Sequence, residues 1–182
     1  MSALEDIPVT TIDGESTTLG GYGGKVRLIV NVASQCGLTP QYTALEAVYR
    51  RFKSRGFEIL AFPANEFGAQ EPGTNDEIKE FCSTKYDVSF PLFAKIIVRG
   101  PGQHPLYAQL TTERPEARAL PGTDFRGKLM SYGLPAPGPG EILWNFEKFL
   151  IDKNGHVIAR FSPDVPPDAD IVVNEIESAL AS

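Results

Sequence analysis

Val26-Arg27-Leu28-Ile29-Val30-Asn31-Val32, continued by Ala33-Ser34-Gln35-Cys36-Gly37-Leu38-Thr39-Pro40, is the stretch that decides the fold. The first seven residues are apolar nearly throughout, the pattern of a strand covered on both faces. Pro40 suits the first turn of a helix, and Leu45, Val48, Tyr49 and Phe52 recur at helical spacing, so 40–53 reads as a helix. Cys36 falls at the junction. A thiol there sits beside the free N–H groups of a helix N-terminus, which favour thiolate over thiol.

On the N-terminal side, residues 7–19 hold two short β-prone pieces around Asp13-Gly14, a hairpin signal. On the other side, 57–62 is a second strand ended by Pro63, and 65–73 is a turn-rich loop. Thr74 and Glu77 have capping-box spacing, and the helix they start runs to about Tyr86 with Ile78, Phe81 and Cys82 on one face. Residues 91–98 read as a third extended segment and 105–110 as a short helical piece. The stretch 111–140 is rich in Pro and Gly and reads as a long loop, a feature that is usually functional or mobile. Strands at 147–151 and 156–161 flank Asp152-Lys153-Asn154-Gly155, a second hairpin signal. A helix over 168–181 closes the chain. Alternating strands and helices followed by a hairpin predict an α/β fold, a central mixed sheet with helices on both faces. Ligands of such sheets bind beyond strand ends, where Cys36 lies.

A length of 182 residues is that of one domain, and the net charge of −6 with no basic stripe argues against nucleic acid. The basic run at 50–55 suits the C-terminal end of a helix. No run of apolar residues is long enough to span a membrane. The first residues lack the basic and apolar regions of a secretory signal, so cytoplasm is the default. The two cysteines are too few for a disulfide scaffold and read as buried thiols or a redox pair. His104 and His156, the only histidines, lie at no metal-ligand spacing and read as structural or exposed. No metal or other cofactor is expected.

An ordinary thiol, with a pKa of about 8.5, is only a few per cent thiolate near neutrality. A helix N-terminus contributes about 0.3–1 kcal/mol, at most ~2, against about 1.36 kcal/mol per pKa unit. More donors are needed, and no histidine is near. Trp144-Asn145, two side-chain N–H donors side by side, and a Gln amide are the neutral supply. Such donors stabilise a sulfur anion and the oxyanion leaving a cleaved O–O bond. They serve amide hydrolysis poorly, because it needs a base. Attack on an electrophilic oxygen would leave a sulfenic acid on Cys36, which a second thiol could trap. Cys82 is the one intramolecular candidate. A bridge needs Cα atoms about 4.4–6.8 Å apart; the expectation is that the reduced fold does not meet this and that the helix around 78–86 must unwind locally.

Three ordered stretches resemble the glutathione peroxidase family over most of the chain. They are Asn31-Val32-Ala33-Ser34-Gln35-Cys36-Gly37-Leu38-Thr39, then Phe62-Pro63-Ala64-Asn65-Glu66-Phe67-Gly68-Ala69-Gln70-Glu71-Pro72-Gly73, then Trp144-Asn145-Phe146-Glu147-Lys148-Phe149. The resemblance implies a thioredoxin-like fold, with 1–182 as a single peroxidase domain and 111–140 as a loop insertion. It implies a catalytic tetrad of Cys36, Gln70, Trp144 and Asn145. It also implies a resolving role for Cys82 through a Cys36–Cys82 disulfide, hydrogen peroxide and organic hydroperoxides as substrates, and thioredoxin or glutathione as reductant. Many members have Cys and Gln where this chain has Ala64 and Glu66.

Other readings of the same residues stand beside this one. Cys36 and Cys82 also fit inert core thiols, Trp144 a core aromatic, Asn145 a turn former and Gln70 a solvated side chain. A redox sensor that passes oxidation to a partner protein needs the same thiolate. A non-catalytic thioredoxin-like module predicts a Cys36 inert to alkylation. A peroxiredoxin would place Thr three residues before the Cys, where this chain has Ala33.

Overall fold

The structure, a computed structural model, describes residues 3–135 and 137–182. The N-terminal hairpin pairs β1 (Pro8–Thr10) with β2 (Ser16–Thr18). The main sheet contains β3 (Val26–Val32), β4 (Phe57–Pro63), β5 (Lys148–Ile151) and β6 (Val157–Phe161) in the order β4-β3-β5-β6. Strand β3 runs parallel to β4 and antiparallel to β5, and β5 is antiparallel to β6, so the sheet is mixed as expected.

Helix α1 (Gln41–Phe52) makes the crossover between β3 and β4. Helix α2 (Asn75–Tyr86) starts at the Thr74–Glu77 capping box, with both reciprocal hydrogen bonds made. Helix α3 (Pro105–Glu113) is capped by His104, whose Nδ1 accepts the Leu106 N–H; burial lowers the His104 pKa. The last helices are α4 (Phe125–Ser131) and α5 (Asp170–Ala181).

Strand periodicity sorts the core into two layers. Leu28, Val30, Val32, Ile59, Ala61 and Leu150 face one cluster, with the apolar sides of α1, α2 and α5. Ile29, Leu60, Phe62, Phe149 and Ile151 face the other, with α3 and the N-terminal segment. Cys36 belongs to the first layer.

The 91–98 segment is extended, as expected, and joins its neighbours through isolated bridges, Leu92 to Ala61 and Phe93 to Thr11. Pro91 has no N–H to give a ladder, and the Ala94 and Lys95 N–H groups turn to Thr10 O and Asn75 Oδ1. The 111–140 stretch is not a plain loop, since it contains α4, capped by the Asp124 carboxylate. The β3 stretch is buried throughout, as expected of a strand covered on both faces, its polar members included. Its Arg27 is fully buried and forms an ion pair with Glu5, and its Asn31 braces the site described next.

Candidate active site

Cys36 is 8% exposed and sits in the turn between β3 and α1. Its Sγ accepts the Leu38 N–H at 3.2 Å. The turn is braced by Thr39, which the sequence reading passed over. The Cys36 N–H donates to Thr39 Oγ1 at 3.0 Å, and that hydroxyl donates to Ala33 O at 2.8 Å. The Thr39 N–H returns to Cys36 O at 3.0 Å. Helix α1 itself begins only at Gln41, so the sulfur receives one oriented N–H of the entry turn rather than the open end of the helix.

Gln70 reaches the same place from the loop after β4. The Gln35 N–H donates to Gln70 O at 3.0 Å, tying that loop to the Cys36 turn. Ala69, just before Gln70, is in the left-handed region (φ 52°), as is Gly68 (φ 71°). Glu71, just after it, is buried; desolvation raises its pKa, while hydrogen bonds from Ser34 and the Lys95 charge oppose the rise. The departure at Glu66 has a structural use. Its carboxylate accepts the Asn65 and Val98 N–H groups and joins the loop to the extended 91–98 segment.

Trp144 and Asn145 come from the stretch before β5. Asn31 Nδ2 donates to Trp144 O at 3.0 Å, and the Phe146 N–H donates to Asn31 O at 2.6 Å. Phe146 has φ 68°, an unusual value for a bulky residue, and its ring packs edge-on to Tyr42 at 5.4 Å. Glu147 Oε1 accepts the Leu143 N–H, and its other oxygen meets the buried Arg160, which also donates to the carbonyls of Arg114, Gly140 and Glu141. The backbone that presents Trp144 and Asn145 is therefore fixed from both sides. A lone Asn in a fully buried strand and an acid–base pair 13 residues apart were the available signals for this bracing.

Cys36, Gln70 and Trp144 line one cavity of about 340 Å³. Phe125, Lys128, Leu129, Tyr132 and Leu134, all from the stretch once read as a loop, complete its wall with Gly37 and Leu38. Asn145 stands behind this surface, fully buried, and its Nδ2 donates to Gln70 Oε1 at 2.9 Å. That bond engages the Gln70 oxygen and ties Asn145 to a residue of the cavity wall. Trp144 is held against Phe67 (5.6 Å between ring centres) and close to Gly68, where a Cβ would lie 3.5 Å from the indole.

Cys82 is elsewhere. It is an unbridged thiol on the inner face of α2, fully buried, and is not among the cavity-lining residues. Burial pushes its pKa up to about 11; the neighbouring Tyr42 hydroxyl pulls the other way, and the Glu71 charge adds to the rise. Among the described residues, no group of three or more His, Cys, Asp or Glu is placed to hold a metal ion, and no helix is long and apolar enough to cross a membrane.

A parallel-then-antiparallel sheet with a thiol at the entry to its first crossover helix defines a thioredoxin-like protein, and a nearly buried thiol that shares its cavity with Gln70 and Trp144 suits a thiol peroxidase. The glutathione peroxidase family model matches residues 4–111. The thioredoxin/glutathione peroxidase BtuE of Escherichia coli (strain K12) is 51% identical over 182 residues, covering 98% of this chain and all of the relative. The hydroperoxy fatty acid reductase gpx1 of Synechocystis sp. is 47% identical over 169 residues, covering 93% of this chain and 90% of the relative. The crystal structure of Trgpx in its apo form superposes with a TM-score of 0.72 at 32% identity, covering 100% of this chain and 98% of that one. The chain belongs to the glutathione peroxidase family, and is thereby a peroxidase of the oxidoreductase class.

Proposed function

We propose that the whole chain is one peroxidase domain in which Cys36 is the peroxidatic residue, acting on hydrogen peroxide and organic hydroperoxides. The Cys36 sulfur attacks the terminal oxygen of the hydroperoxide and the O–O bond breaks. The remaining alkoxide takes a proton and leaves as alcohol, and Cys36 becomes a sulfenic acid. Gln70 and Trp144 stabilise the charge on sulfur and on the departing oxygen, and Asn145 orients Gln70. The Cys82 sulfur then attacks the Cys36 sulfur, a disulfide forms and water leaves. Because Cys82 is buried in α2, this step requires α2 to open. Two thiol electrons from thioredoxin or glutathione restore both cysteines, in keeping with the name of the Escherichia coli relative. We place the protein in the cytoplasm, where two unpaired thiols stay reduced.

The observation that supports this reading is a nearly buried thiol sharing a cavity with two neutral donors, with no His or carboxylate in the lining. A hydrolase would need such a base. The test is peroxide consumption with a thioredoxin system. Cys36→Ser is expected to lose at least about 10³-fold in turnover, the scale for deleting a nucleophile. Turnover equal to wild type would overturn the assignment.

A further inference from the structure

The peroxidase chemistry leaves α4 unexplained, although α4 and the turn after it supply half of the cavity wall. Phe125, Leu129 and Leu143 form a third apolar cluster, separate from both core layers, against which Leu38 and Trp144 pack. Those two residues line the cavity with Cys36. The wall is an ordered element: Asp124 accepts the Gly127 N–H at 3.0 Å, the Leu134 N–H returns to Leu129 O at 3.2 Å, and Arg126 donates to Pro137 O.

Size and lining say what the wall is for. A water takes about 30 Å³ of the liquid, and hydrogen peroxide has two oxygens, so a cavity of about 340 Å³ is several times larger than that substrate needs. Its side from α4 is hydrocarbon, through Phe125, Leu129 and Leu134. The one charged residue in the lining is Lys128, which is exposed at the rim; its ammonium has no ion-pair or hydrogen-bond partner among the described residues. A free cation at that mouth contrasts with a chain of net charge −6.

We infer that α4 is a specificity wall for the Cys36 site, and that Lys128 selects single-chain organic hydroperoxides whose apolar body ends in a carboxylate. The inference rests on the peroxidase reading. The hydrocarbon lies along Phe125 and Leu129 with the O–O group at Cys36, while the carboxylate meets the Lys128 ammonium at the solvent edge. An ion pair so exposed is modest, so the effect is one of preference rather than of rate on all peroxides.

The test compares kcat/KM for a long-chain fatty acid hydroperoxide and for its methyl ester, below aggregating concentrations. The acid-to-ester ratio within each protein cancels any change in Cys36 reactivity. It is expected to fall about two- to fivefold from wild type to Lys128→Gln, the size of an exposed ion pair, and further in Lys128→Glu. In wild type it should shrink as salt rises. A ratio that is the same in all three proteins, or indifferent to salt in wild type, overturns the inference. Hydrogen peroxide turnover by wild type separates the two levels: its presence with an unmoved ratio removes only the role of Lys128, whereas its absence removes the peroxidase reading and this inference together.

Discussion

Cys36 and Cys82 pack into the same apolar cluster, one at its edge and the other in its interior. Cys36 opens onto a cavity that Gln70 and Trp144 also line, and accepts a backbone N–H. Cys82 lies on the inner face of α2 beside the Tyr42 hydroxyl, and burial there raises its pKa. Near-equal burial thus leaves the two thiols in different surroundings: Cys36 lines a cavity and accepts a backbone N–H, whereas at Cys82 desolvation outweighs the Tyr42 hydroxyl.

The sharpest way to break this contrast is alkylation of the reduced native protein near neutral pH. Cys36 is expected to react faster than Cys82 by about 10² or more, because only the thiolate is nucleophilic and Cys82 is held far from it. Peptide mapping after timed quenching reads both rates. Equal rates would mean that the donors around Cys36 do not distinguish it.

A smaller effect probes how the donors are held. Asn145→Ala removes the hydrogen bond to Gln70 without touching the cavity surface. The expectation is a loss of about tenfold in kcat/KM for hydroperoxide, below the about 10²-fold of a directly removed oxyanion donor. A loss larger than that of Gln70→Ala would place Asn145 against the reacting atoms instead.

The smallest effect is on stability. The Cys82 pKa rises from 9.0 to about 11 on folding, so the folded chain binds that proton more tightly. Its contribution is complete below pH 9 and is lost as pH climbs through 11, by about 3 kcal/mol. Lys148, buried and lowered to about 7, slopes the other way because the unfolded chain binds its proton more tightly. Urea unfolding of wild type and Cys82→Ala across this range isolates the Cys82 part as their difference. Parallel pH profiles would show that the thiol is not desolvated.

These two regions also differ in how legible they were. Strong periodicity made β3, α1 and β4 readable, and the capping box marked α2 to the residue. Cys36, Gln70 and Trp144 were recognisable from motif order, and the structure brings them to one cavity. Helix α4 was hidden because seven residues set among prolines and glycines give too short a pattern, and its apolar face meets Leu38, Leu143 and Trp144 only once the chain has folded. Thr39, Asn31 and the Glu147–Arg160 pair were missed for a related reason. Each acts through backbone groups brought close only by folding, so nothing local announces it. The 91–98 segment was legible as extended, and Pro91, with no N–H to give, suits its isolated bridges rather than a full ladder.

The central claim, one thiol oxidised at the cavity and the other arriving to meet it, is tested most directly by mass. Reduced wild-type protein is treated with a single equivalent of hydroperoxide, quenched and digested without reduction. The account predicts a loss of two hydrogens, with the Cys36 and Cys82 peptides joined, and the gain of one oxygen on Cys36 when Cys82→Ser is treated alike. Wild-type protein in which Cys36 keeps its oxygen and Cys82 remains a free thiol would contradict it.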